Sequence, residues 1–130
     1  ANLRNLPTGE GLFFYAGDRN FDALQETALD PGEAVAILHT STNGYFYYVQ
    51  AYNYRGWLSK FDVAETDRSI WLRYAEPKNF LTVVAKDYTL KADGAQVLFQ
   101  QGARLQLAAG REGSFGCQCF AARRLSALYD

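Results

Sequence analysis

Short runs of apolar residues, broken by turn residues, recur along this chain, and within the runs the pattern favours strands over helices. Thr42-Asn43-Gly44 precedes the most aromatic run, Tyr45-Phe46-Tyr47-Tyr48-Val49. Asn-Gly accepts the positive φ of a type I′ turn, so a tight hairpin is predicted there. β-Branched and aromatic residues suit a pleated, half-buried surface, so the run itself reads as a strand. A second turn at Asn53–Gly56 leads into a returning strand at Trp57-Leu58, and Asp62-Val63-Ala64 closes the segment. Upstream, Leu12–Tyr15 reads as a short apolar strand. Ala16–Gln25 reads as a long loop pinned to the core by Phe21 and Leu24, and Ala34–His39 as a buried strand entered through an Asp30-Pro31-Gly32 turn.

The second half repeats this grammar with different letters. Thr66 is a predicted cap for a helix from Asp67 to about Tyr74, with Ile70, Trp71 and Tyr74 on one face and Pro77 as its stop. Phe80–Ala85 and Asp87–Leu90 read as strands, Ala92-Asp93-Gly94 as a hairpin, and Val97–Phe99 and Arg104–Leu107 as further strands. Gly110–Gly113 reads as a turn and Phe115–Ala122 as a last strand. Many short strands with turn signals between them point to small barrels. The expected fold is all-β: two small SH3-like barrels joined by a short helix, with residues 1–65 as the first barrel, 66–78 as the helical linker and 79–130 as the second barrel.

Residues 56–64, Gly-Trp-Leu-Ser-Lys-Phe-Asp-Val-Ala, resemble the closing segment of bacterial SH3 (SH3b) domains, which reads G-W-hydrophobic-x-x-x-D-V-A. Asn5-Leu6-Pro7-Thr8, Phe21-Asp22-Ala23-Leu24-Gln25 and Pro31-Gly32-Glu33 resemble the start of the first of two SH3b domains in NlpC-type cysteine peptidases of the bacterial cell wall. The resemblance covers most of Asn5–Ala64 and, less specifically, Phe80–Leu107. In that family an N-terminal segment, two SH3b domains and a C-terminal peptidase follow one another. The first SH3b domain packs beside the catalytic domain and helps restrict its cleft to short stem peptides. Tyrosine and acidic side chains of that domain meet the free amine of the peptide. Carried over, the resemblance implies that Tyr52 or Tyr54 and Glu26 face the amine, that the partner is peptidoglycan stem peptide or an NlpC-type catalytic domain, and that the chain works outside the cytoplasm.

Composition narrows the function classes. Of 130 residues, 48% are hydrophobic and 21% charged, as in an ordinary folded domain. A net charge of −1 leaves no electrostatic footprint for nucleic acid. No apolar run approaches membrane-spanning length. The peptidase of the resembled family needs a cysteine at a helix start with a histidine to activate it, since those neighbours lower the thiol pKa. Here Cys117 and Cys119 sit in Gly116-Cys117-Gln118-Cys119-Phe120 without a helical pattern, and the one histidine, His39, falls inside a predicted strand. The two cysteines read as small strand residues, and with one distant histidine they make a poor metal site. There is no phosphate-binding glycine loop and no serine elbow. The chain is therefore expected to be non-catalytic and to carry no cofactor.

A binding surface fits better. Tyr45, Tyr47, Tyr52, Tyr54 and Trp57 are more aromatic surface than so small a barrel can bury, and aromatics beside turns give stiff contact area. Phe46, Tyr48 and Trp57 are read as barrel core. Tyr52 and Tyr54 are left open between ligand contact and internal interface. Asp22, Glu26 and Glu33 flank the same loops, as amine acceptors or as plain solvated charges. A proline-peptide groove of the eukaryotic kind lacks two walls, because Ser59 and Asp62 stand where its Pro and Tyr belong. The candidate ligand-binding residues are Tyr52, Tyr54, Trp57, Glu26 and Asp22. The rival reading is a structural spacer or a protein-interaction module that does not bind peptidoglycan.

Overall fold

Tyr47 and Val49 point one way from their strand while Phe46 and Tyr48 point the other, and this alternation sets the first sheet. The computed structural model describes residues 1–92 and 94–107, and strands dominate them, with a single α-helix among the described residues. The chain divides into two compact units. One holds Ala1–Leu29 and Val35–Val63; the other holds Asp30–Ala34 and the described residues from Ala64 onward.

The first unit is a five-stranded antiparallel sheet. Its strands are β1 (Asn2–Arg4), β2 (Gln25–Ala28), β3 (Ala36–Thr40), β4 (Phe46–Gln50) and β5 (Arg55–Ser59), in the order β2-β1-β5-β4-β3. No ladder joins β2 to β3 among the described residues, so both are edges of an open sheet. One face carries the core: Leu3, Leu29, Tyr47, Val49, Ala51 and Leu58 are buried, with Val35 and Val63 packed against them. Complete burial of Leu3 and of Val49 contributes about 1.5–3 kcal/mol each. Gly56 lies where β5 passes β1. A Cβ there would stand 2.7 Å from the Arg4 carbonyl oxygen and 2.8 Å from Leu3 Cγ, so only glycine fits. A short 3₁₀ turn, Lys60–Asp62, follows β5, and Ser59 Oγ accepts the Phe61 N–H.

Several expectations need correction. Phe46, Tyr48 and Trp57 are not core; they lie half-buried on the opposite face, and Tyr47, Val49 and Leu58 take the inside. Both phases of the Phe-Tyr-Tyr-Val run are apolar, so the pattern alone does not choose between them. Ala34–His39 is not a buried strand: β3 is an edge with Ile37 and Leu38 exposed, and only Val35, ahead of it, joins the core. Leu12–Tyr15 forms no strand, and Phe21, 64% exposed, pins nothing; the loop is anchored by polar contacts instead. The hairpin turn is also different. Gly44 N–H donates to the Ser41 carbonyl, so Thr42 and Asn43 are the central residues and Gly44 follows them at φ 75°. That is a turn followed by a left-handed glycine, the longer hairpin form rather than the two-residue type I′.

The second unit contains α1 (Arg68–Ala75), β6 (Phe80–Thr82), β7 (Asp87–Ala92), β8 (Ala95–Gln100) and β9 (Arg104–Gln106). Its strands pair as two separate two-stranded ladders, β6 with β9 and β7 with β8. Gly94, at φ 78°, stands in the turn that sets Ala92 opposite Ala95. Val83, Phe99, Ala103 and Leu105 form the core, with Leu90 and Val97 packed against it. The Asp30 carboxylate accepts the Gln100 N–H at 2.9 Å. The helix is capped by Asp67, not Thr66: its carboxylate accepts the N–H groups of Ser69 and Ile70 and the Ser69 hydroxyl. Glu76 is the C-cap, one residue before Pro77. The turn expected at Gly110–Gly113, the strand expected at Phe115–Ala122 and both cysteines lie outside the described residues.

Candidate functional site

Strand β2 does not run smoothly beside β1. Leu3 stands opposite Thr27, but Arg4 stands opposite Gln25, so Glu26 is the extra residue of a β-bulge. A bulge leaves its residue unpaired in the ladder and re-aims the side chain, which is why bulges recur beside functional sites. The exposed Glu26 carboxylate meets two donors. Tyr54 Oη–H donates to Oε2 at 2.6 Å, and Asn5 Nδ2–H donates to Oε1 at 3.1 Å. Tyr54 comes from the turn between β4 and β5, which is closed by a bond from Ala51 N–H to the Tyr54 carbonyl. Asn5 follows β1 and is fixed by its own N–H on the Leu24 carbonyl.

Charge and hydrogen bonding define what such a site accepts. Both donors to Glu26 are neutral, and among the described residues no basic side chain lies within ion-pair distance of it. Its negative charge is therefore uncompensated. Tyr54 has one hydroxyl proton and spends it on Glu26, so its oxygen presents only lone pairs to anything else. That hydrogen bond, aided by desolvation and the Glu26 charge, raises the Tyr54 phenol above its ordinary value. A carboxylate with about four acceptor positions keeps about two of them open here. The Glu26 carboxylate and the Tyr54 oxygen thus offer a ligand acceptors and a net negative charge, which suits a primary ammonium group, while Asn5 keeps one amide N–H beside them.

The other candidate residues fall in different places. Tyr52 is fully exposed at the same turn as Tyr54 and has no ring partner among the described contacts. Trp57 lies half-buried on the sheet face away from the core, its ring 5.2 Å from Tyr48 and tilted by 52°. His39 stacks on the other side of Tyr48 at 6.4 Å, so three strands share one row of rings. Asp22 is committed elsewhere. Its carboxylate accepts Leu12 N–H at 2.9 Å and Leu24 N–H at 3.0 Å, and it pairs with the buried Arg4 at 2.7 Å. The Leu12 bond, followed by the Leu24 bond and Arg4, lowers its carboxyl below the usual range against an opposing desolvation. Asp22 therefore ties off the long loop from within. Glu33 belongs to the second unit, where desolvation raises its carboxyl above the ordinary value.

Sequence reasoning missed two participants. Asn5 was named only as the start of the Asn5-Leu6-Pro7-Thr8 resemblance, with no part in a site, and Arg4 passed unremarked although its guanidinium is the loop's anchor. No local pattern signalled the second, since Leu3 and Arg4 are neighbours in β1 and both are buried. Sequence reasoning also missed the exposed rings of the loop, where Phe14 stacks on Phe21 at 6.4 Å. Among the described residues no group of three histidine, cysteine, aspartate or glutamate side chains converges on a metal position. No helix among them is long and apolar enough to cross a membrane.

Comparison with known families places the resemblance on this unit. Residues 12–59 match the family model of the SH3 domain, SH3b1 type. The matched span runs from the long loop to the end of β5 and includes Asp22, Glu26, Tyr52, Tyr54 and Trp57; Asn5 lies before it. No curated protein and no solved structure matches the chain.

Proposed function

We propose that the first unit is a non-catalytic bacterial SH3 binding module whose Glu26–Tyr54 pair receives the free amino group of a peptidoglycan stem peptide. The observation that carries this reading is the bulged, uncompensated Glu26 carboxylate held by Tyr54 at 2.6 Å. The matched family supports it, because SH3b domains are generally non-catalytic binding modules. Tyr52, exposed at the same turn, supplies a flat ring for the peptide beyond its amine, and Trp57 stands half-buried on β5 beside Tyr48. Asp22 takes a positioning part, holding the loop that leads into β2.

On this reading the module works outside the cytoplasm, beside an NlpC-type catalytic domain whose substrate cleft it shapes. The second half, with its two ladders beyond the helical stretch 66–78, is then a second small SH3-like barrel. The test is a titration of the isotope-labelled chain with an amino-free stem peptide, followed by amide NMR. Shifts are expected at Glu26, Tyr52 and Tyr54. Shifts confined to the loop tip at Phe14 and Phe21, or a response only to an added peptidase domain, contradict the amine site.

A further inference from the structure

We propose that Asn5 is a positioning residue of the amine site, fixing the Glu26 carboxylate so that its open lone pairs and the Tyr54 oxygen converge on one ammonium group. This rests on the reading of Glu26 and Tyr54 given above.

The geometry argues as follows. A glutamate side chain on an exposed bulge has three free torsions, and a single donor leaves the carboxylate free to rotate about that bond. Tyr54 holds Oε2 and Asn5 holds Oε1, so the two bonds together fix the carboxylate plane. The two donors come from separate places, the end of β1 and the β4–β5 turn, with the bulge of β2 between them. Asn5 is itself held, because its N–H is bonded to the Leu24 carbonyl at 3.0 Å, two residues before Glu26. An asparagine suits this position because it donates without neutralising: a lysine or arginine in its place would consume the charge that an ammonium ligand needs. Preorganisation of this kind lowers the ordering cost when the ligand arrives.

The test uses the full chain with Asn5→Ala, Asn5→Gln and Glu26→Gln, an amino-free stem peptide and its N-acetylated counterpart as probes. Affinity is read by calorimetry and the Tyr54 phenol by NMR titration of its ring carbon. A thermal melt of each variant reports folding. Asn5→Ala is expected to weaken the amino-free peptide several-fold, to leave the acetylated peptide unchanged, and to bring the Tyr54 titration part of the way back towards an ordinary tyrosine. Asn5→Gln keeps an amide donor and should recover most of the loss. Asn5→Ala with wild-type affinity and a wild-type Tyr54 titration overturns the proposal, as does equal loss in Asn5→Gln. Glu26→Gln separates the two levels: if it leaves amine affinity unchanged the underlying site is wrong, whereas an effect in Glu26→Gln alone removes only the role of Asn5.

Discussion

Asp22 and Glu26 lie four positions apart and do opposite things. Asp22 turns inward, where Leu12, Leu24 and Arg4 use up its carboxylate, whereas Glu26 turns outward and keeps its charge for others. Because the folded protein holds the Asp22 carboxyl below its unfolded value, its contribution is complete above the unfolded pKa and is lost as pH falls through the folded one. Asp22→Asn should therefore lower the unfolding midpoint at neutral pH, and the gap to wild type should start to narrow below about pH 4 and go on closing as pH falls further. Chemical denaturation at several pH values measures this; a gap that is constant with pH contradicts it. Both acidic residues were picked out from sequence as possible amine acceptors. Their division of labour was not legible, because it depends on a register slip in β2 and on a buried arginine, and neither leaves a local pattern.

At the scale of the element, the phase of β4 is the sharpest claim. Tyr47 is inside and Tyr48 outside, so Tyr47→Ala should cost about 3–5 kcal/mol, as for other buried aromatics. Tyr48→Ala loses ring contacts to Trp57 and His39, worth about 0.5–1.5 kcal/mol per pair, together with the area of a half-buried ring, and should cost less than Tyr47→Ala. Denaturant melts of the two variants distinguish the phases, and equal losses contradict the register. Gly56→Ala should destabilise by about 1–3 kcal/mol through overpacking against β1, although alanine normally suits a strand no worse than glycine. The strands at Tyr45–Val49, Trp57-Leu58 and Asp87–Leu90 were legible because aromatic and β-branched runs sat between turn residues. Leu12–Tyr15 carried the same apolar signal and is exposed loop, since a short run cannot declare whether anything will pack on it. The turn at Gly44 was located correctly, but its type was set by Ser41 and Asn43 closing it from the side, through the side-chain Oδ1 of Asn43, which accepts from the Ser41 hydroxyl and the Tyr45 N–H.

For the molecule as a whole, the strand-rich character and an SH3b-like first half could be read from the chain; the family match, residues 12–59, falls inside the Asn5–Ala64 stretch and does not reach the second half. The site could be read only in part: Tyr54 and Glu26 were named from resemblance, while the bond joining them and the help from Asn5 needed the folded chain. A charge-selective site at the surface carries a further signature. Ligand affinity should fall several-fold as salt rises from about 0.1 M to 1 M, where the screening length shortens from about 10 Å to about 3 Å. The most direct test compares an amino-free stem peptide with its N-acetylated form on the unmodified chain by calorimetry. Recognition of an ammonium group by Glu26 predicts at least about a tenfold preference for the free amine, equivalent to about 1.4 kcal/mol. Equal affinity for the two peptides would contradict it.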